Sequence, residues 1–182
     1  MSKKTRPLST LTDVAPAPRK TVMLDAVDRR LLELLARNAR LSQRRLAAQL
    51  RMSPPAIGDR MARLEREGVI RGYAVAIDWS LLGYVTTYLA VTATAEADRG
   101  AVMSRLYSLP EVEDVVVVTG SFDMFVRLRV RDHIHLRRFL LEHIWQLDGI
   151  QRTDTFLSLA ELPGKHLAAT LLADPAAEED AL

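Results

Sequence analysis

The chain has no cysteine among its 182 residues, which excludes disulfide staples and thiolate metal sites. It has no run of 18 apolar residues, so nothing in it reads as a membrane span. The opening "MSKKTRPLSTLTDVAPAPRK" is basic but has no apolar stretch of the kind a secretory leader uses. No P-loop, GxGxxG or Ser–His–Asp arrangement stands out, which argues against an enzyme. His133 and His135 open a helical stretch and His143 lies two turns further on. That spacing does not put all three on one face, so neither a metal nor another cofactor is expected. These absences predict a soluble, cytosolic, non-enzymatic protein.

Apolar residues make up 48% and charged residues 26%, a globular balance. Net charge is only +2, yet the charge is unevenly placed. Lys3, Lys4, Arg6, Arg19 and Lys20 face Asp13 alone, and residues 37–72 hold nine arginines against Asp59, Glu65 and Glu67. From Leu167 onward there are Asp174, Glu178, Glu179 and Asp180 and no basic residue. A basic first half with an acidic tail points to a polyanion partner for that half only.

Residues 1–22, with Pro7, Pro16 and Pro18 among small residues, read as a flexible basic arm. Residues 23–78 form a first domain. Asp25 can cap a helix with Leu31, Leu32 and Leu35 on one face, and Ser42 a short helix with Leu46 and Leu50. Ser53 caps a third helix, Pro54 suits its first position, and Gly68 stops it. "VIRGYAVAID" then alternates like a hairpin or edge ribbon. Residues 79–83 read as a linker, 84–163 as a second domain and 164–182 as an acidic tail. The second domain runs strand, helix, strand, strand, helix, strand, a ferredoxin-like split βαβ unit. Its helices span 98–109, with Val102, Leu106 and Leu109 inward, and 132–147, with Leu136, Leu140, Ile144 and Leu147 inward. An RNA-recognition domain shares that order, but its strand needs stacked aromatics and "MFVRLRV" has one.

Three short helices with "RMS" between the second and third fit a helix-turn-helix. Its third helix can lie in a major groove with Ile57, Met61 and Leu64 toward the protein. Ser53, Pro54, Pro55, Ala56, Asp59, Arg60 and Arg63 then become candidates for the DNA face. Arg44 and Arg45 sit where the second helix meets the backbone, and Arg71 in the ribbon is placed to reach a neighbouring phosphate. The bland alternative is a solvated face with Glu65 and Glu67 making local pairs. Arg51 occupies a turn position where glycine is common, and a left-handed backbone there costs on the order of 1 kcal/mol.

The start "LDxxDxxLLxxL", an "R-x-S" before the second helix and "S-x-x-x-I-x-x-R-x-x-R-L-E-x-x-G-V-I" together resemble the DNA-binding half of the leucine- and asparagine-responsive (Lrp/AsnC) regulators. "LPEVEDVVVVTGSFDMFVRLRV" and "GIQRTDTFLSL" resemble their effector-binding half, so the likeness runs from about Leu24 to Glu161 in the right order.

In the loop "VTGSFDM", Gly120 permits a tight turn that leaves the N–H groups of Ser121 and Phe122 free to hold a carboxylate. Asp123 is placed to hold an ammonium, so the loop suits an α-amino acid. It also suits a plain hairpin turn in which Asp123 bonds its own backbone. The resemblance implies a small-molecule pocket at subunit contacts, commonly for amino acids. It brings Thr119, Gly120, Ser121, Phe122 and Asp123 together with Thr153, Asp154 and Thr155. "VVVV" at 115–118 is apolar on both faces, whereas Met124, Val126, Leu128 and Val130 should face the helices and Phe125, Arg127 and Arg129 the other side. A second copy covering that side makes a homodimer, or a larger assembly of even number, the expectation.

The expected fold is α+β: an N-terminal winged helix-turn-helix and a C-terminal ferredoxin-like (βαββαβ) effector and dimerisation domain. The expected function is a transcription regulator on double-stranded DNA, cytoplasmic and nucleoid-associated, modulated by a small effector, which the resemblance implies to be an amino acid. The alternatives are an effector-insensitive architectural DNA-binding protein and an amino-acid-binding enzyme subunit.

Overall fold

The structure is a computed structural model, and it describes residues 20–162, 164 and 167–172. Residues 1–19 of the expected arm and most of the expected acidic tail lie outside the described residues. The described residues divide into two compact units, one of Lys20–Ala76 with those described after Glu161, the other of Ile77–Glu161. Among the described residues, no helix is long and apolar enough to cross a membrane.

The first unit is built on α1 (Ala26–Arg37), α2 (Gln43–Leu50) and α3 (Pro54–Arg66). Each begins at a side chain that satisfies an orphan helix N–H. Asp25 and Asp28 form a reciprocal capping box on α1. Ser42 accepts from Arg45 N at 3.3 Å and Ser53 from Ala56 N at 3.4 Å, with Pro54 and Pro55 filling the first turn of α3. Arg51 closes α2 at φ 54°, the left-handed geometry foreseen for that turn, and Gly68 ends α3 at φ 72°. Leu31, Leu46, Ile57 and Leu64 are fully buried together. Each contributes about 1.5–3 kcal/mol by leaving water. On α1 the buried stripe is Leu31, Leu34 and Leu35, with Leu32 only at its edge. A short helix, α6 (Leu167–Leu171), lies against α1.

The expected ribbon does not form. Residues 71–78 make no strand, and Tyr73, Val75 and Ile77 are exposed. A strand exists only with a partner for its N–H and C=O groups, and alternation alone does not supply one.

The second unit has β1 (Val85–Ala93), α4 (Arg99–Tyr107), β2 (Val112–Val117), β3 (Met124–Val130), α5 (His133–Phe139) and β4 (Ile150–Leu157). A 3₁₀ turn at Ser80–Leu82 precedes β1. The sheet is antiparallel in the order β2-β3-β1-β4, the ferredoxin-like arrangement. Met124, Val126, Leu128 and Val130 are buried beneath α4 and α5, while Phe125 is exposed on the open face, as the alternation required. The helix α5 continues as a π turn over Leu140–Ile144. That wider turn brings Phe139 into the core with Leu136 and Ile144, leaving Leu140 and Leu147 partly buried.

Candidate nucleic-acid interface and effector domain

The helix-turn-helix presents two kinds of arginine. Arg44, Arg45 and Arg71 are exposed, and none forms an ion pair with a described carboxylate. The same holds for Arg40, Arg51 and Arg66, which the sequence reading did not place on the DNA face. Ser53, Pro54, Pro55 and Asp59 are exposed at the start of α3, with Ala56 half-buried beside them. These groups are free to meet a polyanion.

Arg60 and Arg63 are different, and the expectation that they point outward is corrected. Arg60 Nη1 donates to Asp25 Oδ2 at 2.6 Å and to Asp28 Oδ1 at 2.7 Å. Arg63 Nη2 donates to the other Asp28 oxygen, and the Asp28 side chain is completely buried. Both positions lie beside the buried stripe of α3, and their long side chains fold back over α1. The first-turn N–H of Asp28, and then Arg60, hold the Asp25 carboxyl below the usual carboxylate range. Asp25 in turn raises the pKa of Arg60. The cluster fixes α3 upon α1. A D-x-x-D pair at a helix start, with arginines one turn apart on a later helix, was the available signal for it.

In the second unit, Asp123 is also committed to structure. Its carboxylate accepts from the Ala93 backbone at 2.8 Å and from Arg99 Nε at 3.0 Å. It therefore ties the β2–β3 turn to β1 and α4, and is no free partner for an ammonium within this chain. Gly120 has φ +118° with open space around it, which agrees with a turn needing glycine there. Thr119 and Ser121 are exposed, while Phe122 packs 5.9 Å from Phe125.

The strand register separates the other three candidates. Thr153 pairs with Val91 and Thr155 with Leu89, whose side chains are in the core, whereas Asp154 pairs with Ala90 and takes the opposite face. Trp145 Nε1 donates to the Thr153 hydroxyl at 3.4 Å, and Arg152 grips Asp154 through two bonds of 2.9 and 2.8 Å. A single ligand on one side of the sheet cannot touch all three side chains.

The arrangement matches known proteins along its length. Residues 24–71 match the family model described as winged helix-turn-helix DNA-binding, and residues 86–164 match the Lrp/AsnC ligand binding domain. An HTH-type transcriptional regulator of Pyrococcus abyssi is 36% identical over 76% of this chain and 88% of its own length. The solved structure of Escherichia coli AsnC has a TM-score of 0.73 at 29% identity, covering 79% of this chain and 97% of that one. A Neisseria meningitidis transcriptional regulator in complex with L-Met shares the fold, with a TM-score of 0.73 at 24% identity over 78% of this chain and 94% of that one. This chain belongs to the Lrp/AsnC family of transcriptional regulators, with an N-terminal DNA-binding helix-turn-helix and a C-terminal ligand-binding domain.

Proposed function

We propose that the chain binds operator DNA as a homodimer or larger even-numbered assembly, and that an amino acid bound by the C-terminal domain changes its affinity. The observation that supports the DNA face most directly is the set of exposed arginines, Arg44, Arg45 and Arg71, that pair with no described carboxylate and lie in the same unit as the exposed Pro54, Pro55 and Asp59. Neutralising phosphates there releases counterions, the main electrostatic source of DNA affinity. Arg60 and Arg63 serve by holding α3 at its angle, because their charges already face Asp25 and Asp28.

Self-association is supported by the open sheet face. Tyr88, Val116, Phe125 and Phe156 are exposed there, an apolar patch that a second copy can cover. The amino-acid class is supported by the meningococcal relative, which was solved with L-Met. Regulation then follows from linkage: a ligand preferring one arrangement of subunits changes the spacing of paired α3 helices on DNA. Such a protein works on the nucleoid, in the cytoplasm.

The test is a selection of bound duplexes from a randomised pool, followed by anisotropy titrations against each common amino acid. The proposal expects two half-sites with centres about 10 bp, or a multiple of that, apart. It also expects at least one amino acid to change the affinity. Enrichment of no sequence, with no amino acid having any effect, contradicts it and favours an architectural DNA-binding protein.

A further inference from the structure

A cleft of about 500 Å³ opens at the end of the sheet opposite the β2–β3 turn, where β2 begins and β3 ends. Its size is in the range of small-molecule sites. Its walls mix an aromatic surface with charges of both signs. Trp79 and Tyr84 meet edge to face at 5.7 Å, and Pro110 extends the apolar wall.

The charges of the cleft divide into spent and unspent. Arg129 and Glu113 answer each other at 2.7 Å, and Arg129 also bonds the Thr86 hydroxyl and lies 5.8 Å from the Trp79 ring centre. Glu111 Oε1 meets His135 Nε2 at 3.2 Å, but Glu111 Oε2 is buried with no hydrogen-bond partner. A buried carboxylate oxygen left unpaired is costly and is rarely left so without a reason. Arg131 lies over the Tyr84 ring at 5.4 Å and bonds its hydroxyl at 3.3 Å, and it forms no ion pair with a described carboxylate. The Arg131 backbone N–H donates to His135 Nδ1 at 3.3 Å, so His135 bonds both the Glu111 carboxylate and the main chain at Arg131.

We propose that this cleft binds a small zwitterion with an apolar body, an α-amino acid, as a ligand site separate from the β2–β3 turn. Arg131 takes the carboxylate, Glu111 takes the ammonium, and Trp79 with Pro110 packs the side chain. The proposal rests on the amino-acid reading above for its ligand class, but not for its place. Within this chain Asp123 is already bonded to Arg99 and Ala93, whereas the cleft offers one unspent charge of each sign.

The test is calorimetry on the full chain with L-methionine, L-leucine and L-phenylalanine, then with N-acetyl-L-methionine and L-methioninamide, which each lack one charge. The intact amino acid should bind at least about tenfold more tightly than either derivative, the range of one charge-assisted hydrogen bond. Glu111→Gln should abolish the preference over the N-acetyl form, and Arg131→Gln the preference over the amide. Arg131 is exposed, so that arm stands even if Glu111→Gln disturbs folding by freeing His135. The chain has two tryptophans, so in a Trp145→Phe background Trp79 reports alone, and its emission should change on binding. If L-methionine binds and both variants keep its full end-group preferences, the cleft reading falls while the amino-acid reading survives. If no amino acid binds the parent chain, both fall.

Discussion

Arg60 donates to the buried Asp28 at 2.7 Å across 32 residues of sequence, and this bond joins α3 to α1. Asp28 also receives Arg63 and closes the capping box of α1, so one carboxylate sets both the start of α1 and the seat of α3. Asp28→Asn should therefore destabilise the N-terminal unit by about 2 kcal/mol. That is less than for a wholly buried pair, because both arginines retain some access to water. Thermal unfolding measures this directly, and an unchanged melting temperature would remove the cluster from the account.

The two kinds of arginine should separate in DNA binding. Replacing Arg44 and Arg45 with alanine should lower the slope of log affinity against log salt by roughly 1 per residue, leaving thermal stability unchanged. Replacing Arg60 and Arg63 should lower stability first, with DNA affinity falling as α3 loses its seat. Equal stability loss in both pairs would erase the distinction.

Much of the fold was legible in the sequence because its signals are local. Asp25, Ser42 and Ser53 cap the three helices, and the alternation of β3 told its core face from its open face. The fate of Arg60 and Arg63 was not legible in their own helix, since it depends on where α1 lies. Asp123 is a similar case: its partners Ala93 and Arg99 come from other elements. The separation of Asp154 from Thr153 and Thr155 follows from strand alternation, a signal that was present and was outweighed by the resemblance. The π turn after Phe139 left no trace in the apolar spacing, which reads equally well as a regular helix. The cleft could not be foreseen, because Trp79, Glu111 and Arg131 meet only once the sheet is formed.

Acid should loosen the N-terminal unit. Asp25 has its pKa lowered from 3.8 in the folded chain, so its contribution is present above about that pH and is lost as pH falls through the folded value. The side chain is half exposed, which keeps the effect small and salt-sensitive. Melting temperatures of Asp25→Asn should show a shallower decline below pH 4 than those of the parent. Parallel declines would assign the acid sensitivity to other groups.

Two glycines should respond unequally to alanine. Gly149 has φ +91°, and a Cβ there would lie 3.0 Å from both Ala97 Cβ and Val102 Cγ2, so strain and overpacking combine. Gly149→Ala should cost roughly 2–4 kcal/mol. Gly120, at φ +118° in open space, should cost about 1 kcal/mol. Denaturant titration of both variants checks the order, and a costlier Gly120→Ala would reverse it.

The central claim is that one chain couples a small ligand to DNA, and coupling of that kind is reciprocal. The most direct measurement is a closed cycle on a selected duplex: DNA affinity with and without saturating amino acid, and amino-acid affinity with and without saturating DNA. The account predicts that both ratios are equal and lie in the range of about 5- to 150-fold. An amino acid that binds the chain while leaving DNA affinity unchanged would contradict it.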